Sequence, residues 1–555
     1  MRAIIGAQSF MRTLLILFLI AVPWATVSAQ DDLPPDPPEL AQIGAFIYHD
    51  RDGRINAISL QGEIRDADLA ALRGFPEVRR LSLEGTKITD SGLTALVPLI
   101  NLREFDLSNT VVTGVGLARL APFSKLVDLK INGTMIDDAA AEFVGRCAAL
   151  THIEANHTRA GDGFLEGIAR LSHLEWLSLI GTAVSDAGMA HLAGMTRITH
   201  LGLSGTAVGD AGMAHLAGMT RMASLNLPNT KVGDAGMAHL AGMTQMSWLD
   251  LNGTAVGDAG LAHLAKMTRM STLDLAGTKV SDAGLAHLAG MKRMWRLDLS
   301  GTAVGDAGMV HLAKMTRLET LDLADTAVGD GGVFQFAGFQ KLYELNLSRT
   351  NVGNAGLARL DRCQELYRLN LAGTKAGDGG MAHLAALRKL RELDLSGTGV
   401  GNAGLGQLAA SKSLTTLHLE RTAVDDAGLV HCVRFPKLDA LHLSGTTIGD
   451  AGLAHLGGLE KLKVLELSAT RITDAGLDHL TNLRSLETLD LSDTAITDAG
   501  LERLAEDNNL TSLMVLDLTN TRTTDEAVRR IAKQFANGDE WIVTRDRYRP
   551  RRNIL

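Results

Sequence analysis

The sequence predicts an α/β solenoid, a horseshoe of about 20 strand–helix coils with a parallel sheet on its concave face. Three observations predict it. Threonine recurs every 24 residues from Thr86 to Thr494, and an insertion near EDNNLTSL moves the last to Thr521. Ahead of each threonine runs a short alternating segment such as Ser224 to Leu227, the period of a strand. Behind it, segments such as DAGMAHLAGM place Met237, Leu240 and Met243 at helical or near-helical spacing. Aromatic residues make up only 4% of the chain, which has ample apolar material but relies on Leu, Ala, Met and Gly. A coil of this size has too little apolar surface to fold alone, so stacked neighbours and terminal caps are required.

The elements follow in order. Residues 1–29 read as a secretory signal, with Met11 as a second candidate start, because Arg12 precedes the apolar run Leu14 to Val22 and Val27-Ser28-Ala29 closes it. The run is shorter than the roughly 20 residues a membrane span needs, so no span is expected after cleavage. Residues 30–42, with DDLPPDPPEL, read as a stiff Pro-rich linker. Residues 43–60 are expected to form an N-terminal cap, 61–525 the repeats, 526–544 a C-terminal cap and 545–555 a basic tail.

Each unit reads like MASLNLPNTKVGDAGMAHLAGMTR from Met222, where Met222, Leu225 and Leu227 follow L-x-x-L-x-L and Thr230 stands three residues on. This pattern resembles the leucine-rich repeat family over about Ile55 to Ile531. The threonine replaces the asparagine of the common repeat and the cysteine of the F-box-associated class. The resemblance implies that it bonds backbone groups where the chain leaves each strand. The Thr-x-Val-x-Asp-Ala-Gly pattern is most similar to secreted bacterial repeat proteins. No F-box segment is present, so ubiquitin-ligase function does not transfer.

Several columns invite chemical readings. Aspartates such as Asp186, Asp210, Asp234 and Asp258 stand four residues after the threonines and just before helical segments, with Asn354 and Asn402 in the same column. Since Asn caps a helix as well as Asp, the column is expected to cap the helix that follows it and not to bind calcium. A ladder from His191 through His215, His239, His263, His287 and His311 falls beside inward-facing apolar residues. Arg119, Gln335, Arg359 and Gln407 share that slot and cannot all ligate or shuttle protons, so a solvated convex face is expected. Cys147, Cys363 and Cys432 occupy core slots too far apart for disulfides.

Functional variation is expected on the concave face. While scaffold positions scarcely change, the flanking triplets run from His200, Gly202 and Ser204 to Arg296, Asp298 and Ser300. The expected partner-binding residues are Trp176, Trp248, Asp250, Asp274, Trp295, Arg296, Asp298, Asp322, Tyr343, Tyr367 and Arg368. Amphipathic aromatics and arginine are common binding anchors. The acidic row suggests a protein or peptide partner, cationic in character, with carbohydrate as the alternative. Neither a Ser/His/Asp signature, an H-E-x-x-H motif nor a P-loop is present. The expected function is noncatalytic, with no cofactor, no metal and no nucleic acid.

Overall fold

The computed structural model describes residues 37–120, 123–506, 510, 512–535 and 542–544. The segments read as signal and basic tail lie outside the described residues. Two units divide the chain, Met1–Val208 and Gly209–Leu555.

In the first unit, helix α1 (Pro38–Gln42) precedes strands β1 (Phe46–His49) and β2 (Ile55–Ser59), which pair antiparallel. The end of the segment read as linker is therefore helical. Pro38 stands at the first helical turn, where its missing N–H costs nothing, and Leu40 is buried. From β2 onward the sheet is parallel, through Arg80–Ser82, Glu104–Asp106, Asp128–Lys130, His152–Glu154, Trp176–Ser178 and His200–Gly202.

The second unit repeats the same parallel pairing from Ser224–Asn226 to Thr488–Asp490, with each residue opposite the one 24 positions later, as in Leu249 against Leu273. Its sheet absorbs the insertion without losing pairing, since Leu489 lies opposite Leu516. Strand Ile542–Thr544 extends it beyond Val515–Asp517. In both units strands alternate with helices, mostly of one or two turns and lengthening to the 11 residues of Asp525–Phe535 in the second unit, the leucine-rich-repeat solenoid fold.

One coil shows why the sequence folds this way. Met222, Leu225, Leu227, Val232, Met237, Leu240 and Met243 all lie wholly out of solvent. Burying each contributes about 1.5 to 3 kcal/mol. After the strand the chain reverses through Asn229, which has φ of 54°. This left-handed conformation explains why glycine holds the equivalent slot at Gly205 and Gly253. The next residue, Thr230, is buried and donates its hydroxyl to Leu227 O at 2.7 Å. Thr206 and Thr254 make the same bond to Leu203 and Leu251. Cys147, Cys363 and Cys432 are buried free thiols. No helix among the described residues is long and apolar enough to cross a membrane.

The aspartate column departs from expectation. The extended residue before the helix is Gly233, not Asp234, so Asp234 is already the first helical residue. Its carboxylate serves the next coil, accepting from Gly257 N at 2.6 Å and Gly260 N at 3.0 Å. Where the N-cap is serine, as at Ser281, its backbone N–H and hydroxyl both donate to Asp258, at 2.8 and 2.6 Å. Capping is thus relayed from one repeat to the next. The physical reason is that side chains on a helix lean toward its N-terminus, where the Asp lies against the neighbouring turn and supplies the oxygen a glycine cap lacks.

Candidate functional site

The strands of the second unit place Trp248, Arg296 and Arg368 at their first residue, and Asp250, Asp274, Asp298 and Asp322 at their third. Leucine lies between them and points into the core. Trp295, Tyr343 and Tyr367 precede their strands and form the edge of the same face.

The acidic row runs in register across four strands. Each carboxylate turns back along its own strand and accepts from the amide two residues on: Asn252 at 3.0 Å, Ala276 at 3.0 Å, Ser300 at 2.9 Å and Ala324 at 2.9 Å. Asn346 and Asn370 do the same for Ser348 and Ala372. Asp250 is only 2% exposed. Burial, reinforced by neighbouring carboxylates, pushes Asp250 up to about 6, Asp274 to about 8 and Asp322 to about 7, against the pull of Arg296. The row is therefore only partly charged near neutrality, which weakens it as an attractor for cations.

The aromatic edge is more open. Tyr343 is 43% exposed, and its ring stacks on Tyr367 with centroids 4.9 Å apart. The Arg391 guanidinium stands 5.8 Å from the Tyr367 centroid. Between two strands' glutamates, Arg368 reaches Glu344 at 3.0 Å and Glu392 at 2.5 Å. Trp248 and Trp295 are half-buried. The first unit holds Trp176 in a different setting, stacked between His152 at 5.0 Å and His200 at 4.4 Å. Each arginine and aromatic named from the sequence thus lies on or beside a strand, but Trp176 and the residues from Trp248 onward belong to separate units.

Another cluster escaped the sequence reading. His418 and His442 face each other in register on adjacent strands with their rings parallel, 4.0 Å between centroids. Glu420 Oε1 lies 3.4 Å from His418 Nδ1, and Glu466 Oε2 lies 3.0 Å from His442 Nδ1. The available signal was TLHLE followed by ALHLS, two histidines 24 residues apart at a strand position. The helical histidines, including His215, His239 and His263, form no comparable three-residue group among the described residues.

Comparison with known proteins agrees with this architecture. Two family models, both described as leucine rich repeat, match residues 436–496 and residues 78–97, 314–337 and 386–409. No curated protein matches the chain. Among solved structures, the leucine-rich-repeat ectodomain of the Arabidopsis receptor kinase HAESA, in complex with an N-terminal extended IDA peptide hormone, is similar. It is 15% identical with a TM-score of 0.50, over 86% of this chain and 84% of that one. An internalin of Listeria monocytogenes is 19% identical over 61% of this chain and 87% of its own, with a TM-score of 0.47. A leucine-rich-repeat protein of Leptospira interrogans is 16% identical over 82% and 100%, with a TM-score of 0.45. At 15% identity, the likeness to the HAESA ectodomain bears on the fold alone.

Proposed function

We propose that the chain is an exported, noncatalytic scaffold that binds a protein or peptide on the strand face of its second unit, between Trp248 and Arg368. The observation that carries this reading is the exposed edge formed by Tyr343 stacked on Tyr367, beside the Arg368 ion pairs. Rigid amphipathic rings lose little entropy on contact, and paired charges beside them hold their geometry before a partner arrives. HAESA, which shares the fold, was solved with a peptide bound, so peptides are the first ligands to test. The partly neutralised aspartates favour a partner recognised by shape and hydrogen bonding over one drawn in by charge alone.

A binding array carrying proteins, peptides and glycans tests the reading. Selective retention of a protein or peptide, lost on Tyr343→Ala, is the expected result. Retention of glycans alone favours a carbohydrate-binding or adhesion role, and turnover of an arrayed ligand defeats the noncatalytic assignment. Export rests on Arg12, the apolar run and the Val27-Ser28-Ala29 ending. Mass measurement of the exported chain should give a new N-terminus after Ala29, whereas retention of the intact chain in the cytoplasm would refute it.

A further inference from the structure

We propose that His418, Glu420 and His442 form a binding site for a divalent transition-metal ion, with Zn2+ as the ion to test. One ligand atom from each of the three side chains lies within 4.8 Å of the others. Two adjacent coils contribute, because the parallel register places His418 opposite His442 and the next rung places Glu466 opposite His442. Tetrahedral zinc, with bonds of about 2.0–2.1 Å to nitrogen, needs ligand atoms roughly 3.3 Å apart and each imidazole lone pair, which lies in its ring plane, aimed at the ion, so the parallel rings must turn out of their stack to complete the set. The two rungs are held in register by strand pairing, with Leu417 and Leu441, the residues before the histidines, paired and fully buried.

The donor chemistry selects the metal class. Two imidazoles and one carboxylate suit zinc and its first-row neighbours, whereas calcium and magnesium take oxygen ligands. The surroundings resemble the outer support a metal site needs. Ser396 donates its hydroxyl to Glu420 Oε2 at 2.7 Å, and Glu466 anchors the Nδ1 edge of His442. Such anchoring orients a ligating imidazole and increases its basicity. His442 is well sheltered, with its side chain 13% exposed, while His418 is 32% exposed and leaves the cluster accessible from solvent. Three protein ligands leave one position for water or for a donor from a bound partner. A bound ion would also tie two coils together and so stabilise the array.

The test uses the full chain, stripped with a chelator and titrated calorimetrically with ZnCl2. The background carries His215→Gln, His239→Gln and His263→Gln, which reduces adventitious binding on the helical face. One zinc per chain is expected, with a higher melting temperature in its presence. Adding His418→Gln and His442→Gln should abolish that uptake, and Glu420→Gln should weaken it by at least about tenfold. Co2+ in place of Zn2+ should give visible d–d bands that Glu420→Gln alters, a readout that survives if the double histidine variant does not fold. Absence of stoichiometric zinc in the background protein overturns the proposal. So does unchanged zinc affinity in a folded His418→Gln/His442→Gln variant, or cobalt bands indifferent to Glu420.

Discussion

Asp210 Oδ1 accepts from the backbone amide of Gly236, 2.9 Å away in the next repeat, and a β-carbon added to Gly236 would lie 2.6 Å from that same oxygen. One contact therefore explains two letters of the Asp-Ala-Gly motif. The aspartate is needed to cap its neighbour's helix, and the glycine is needed to let the carboxylate approach. Asp210 also accepts from Gly233 N at 2.7 Å, so it satisfies two amides at the start of a turn whose own cap residue has no side chain.

Asp210→Ala should destabilise the second unit by about 1 to 2 kcal/mol, because both amides lose their acceptor. Asp210→Asn should cost less. Asn354 and Asn402 already take the role, accepting from Gly377 N at 2.9 Å and Asp425 N at 3.1 Å. Chemical denaturation of the three proteins checks the order. An Asn variant as unstable as the Ala variant would show that charge, and not oxygen acceptance, is what the position supplies.

Gly236→Ala should be destabilising even though alanine favours helices over glycine by about 1 kcal/mol. The crowding with Asp210 Oδ1, at overpacking costs of about 1 to 3 kcal/mol, outweighs that gain. In an Asp210→Ala background the same substitution should cost less. A double-mutant cycle measures the difference, with coupling above about 0.5 kcal/mol expected for residues in contact. Strict additivity would separate the glycine from the relay.

The sequence carried the period, the strand positions and the buried columns because each is repeated and each follows from apolar spacing. Cys432 is buried as its apolar slot predicts, while the bond from Thr230 to Leu227 O follows from the family resemblance and not from spacing. The cap relay was half legible: Asp234 announces capping chemistry, but which helix receives the oxygen depends on how two coils lie against each other, a distance of 23 residues in sequence. The inward turn of Asp250 was hidden similarly. A strand aspartate suggests a charged surface, and only the bond to Asn252 N shows it folded against the backbone. His418 and His442 were missed because two matching repeats make a weaker column than six.

Stability should depend on pH through Asp274. Its folded carboxyl is pushed up to about 8 by burial and by Asp298 and Asp250, whereas an unfolded aspartate titrates near about 4. Between those values the folded chain holds more protons than the unfolded one, so this group's contribution to stability falls as pH rises through the window. Asp274→Asn keeps an oxygen for the Ala276 amide, as Asn370 does for Ala372, and removes the titration. The variant should melt above wild type at about pH 8, and the gap should close toward about pH 4. A gap that is constant or widens on acidification contradicts a raised carboxyl.

Tyr343→Ala and Trp248→Ala should each weaken the array-identified protein or peptide by about 2 kcal/mol or more if these rings are anchors. Melting temperature should change little for Tyr343→Ala, because a 43% exposed ring leaves no core cavity. Trp248 is half-buried on the sheet, so some loss of stability is expected there, and affinity must be measured on folded protein. Arg368→Lys provides a further check. It keeps the charge but cannot reproduce the planar reach from Glu344 to Glu392, so affinity should fall while net charge does not change. His215→Gln is the control on the helical side, where Gln335 and Gln407 fill the same slot, and it should bind like wild type. Equal losses in the His215 control and the Tyr343 variant would locate binding away from the strands.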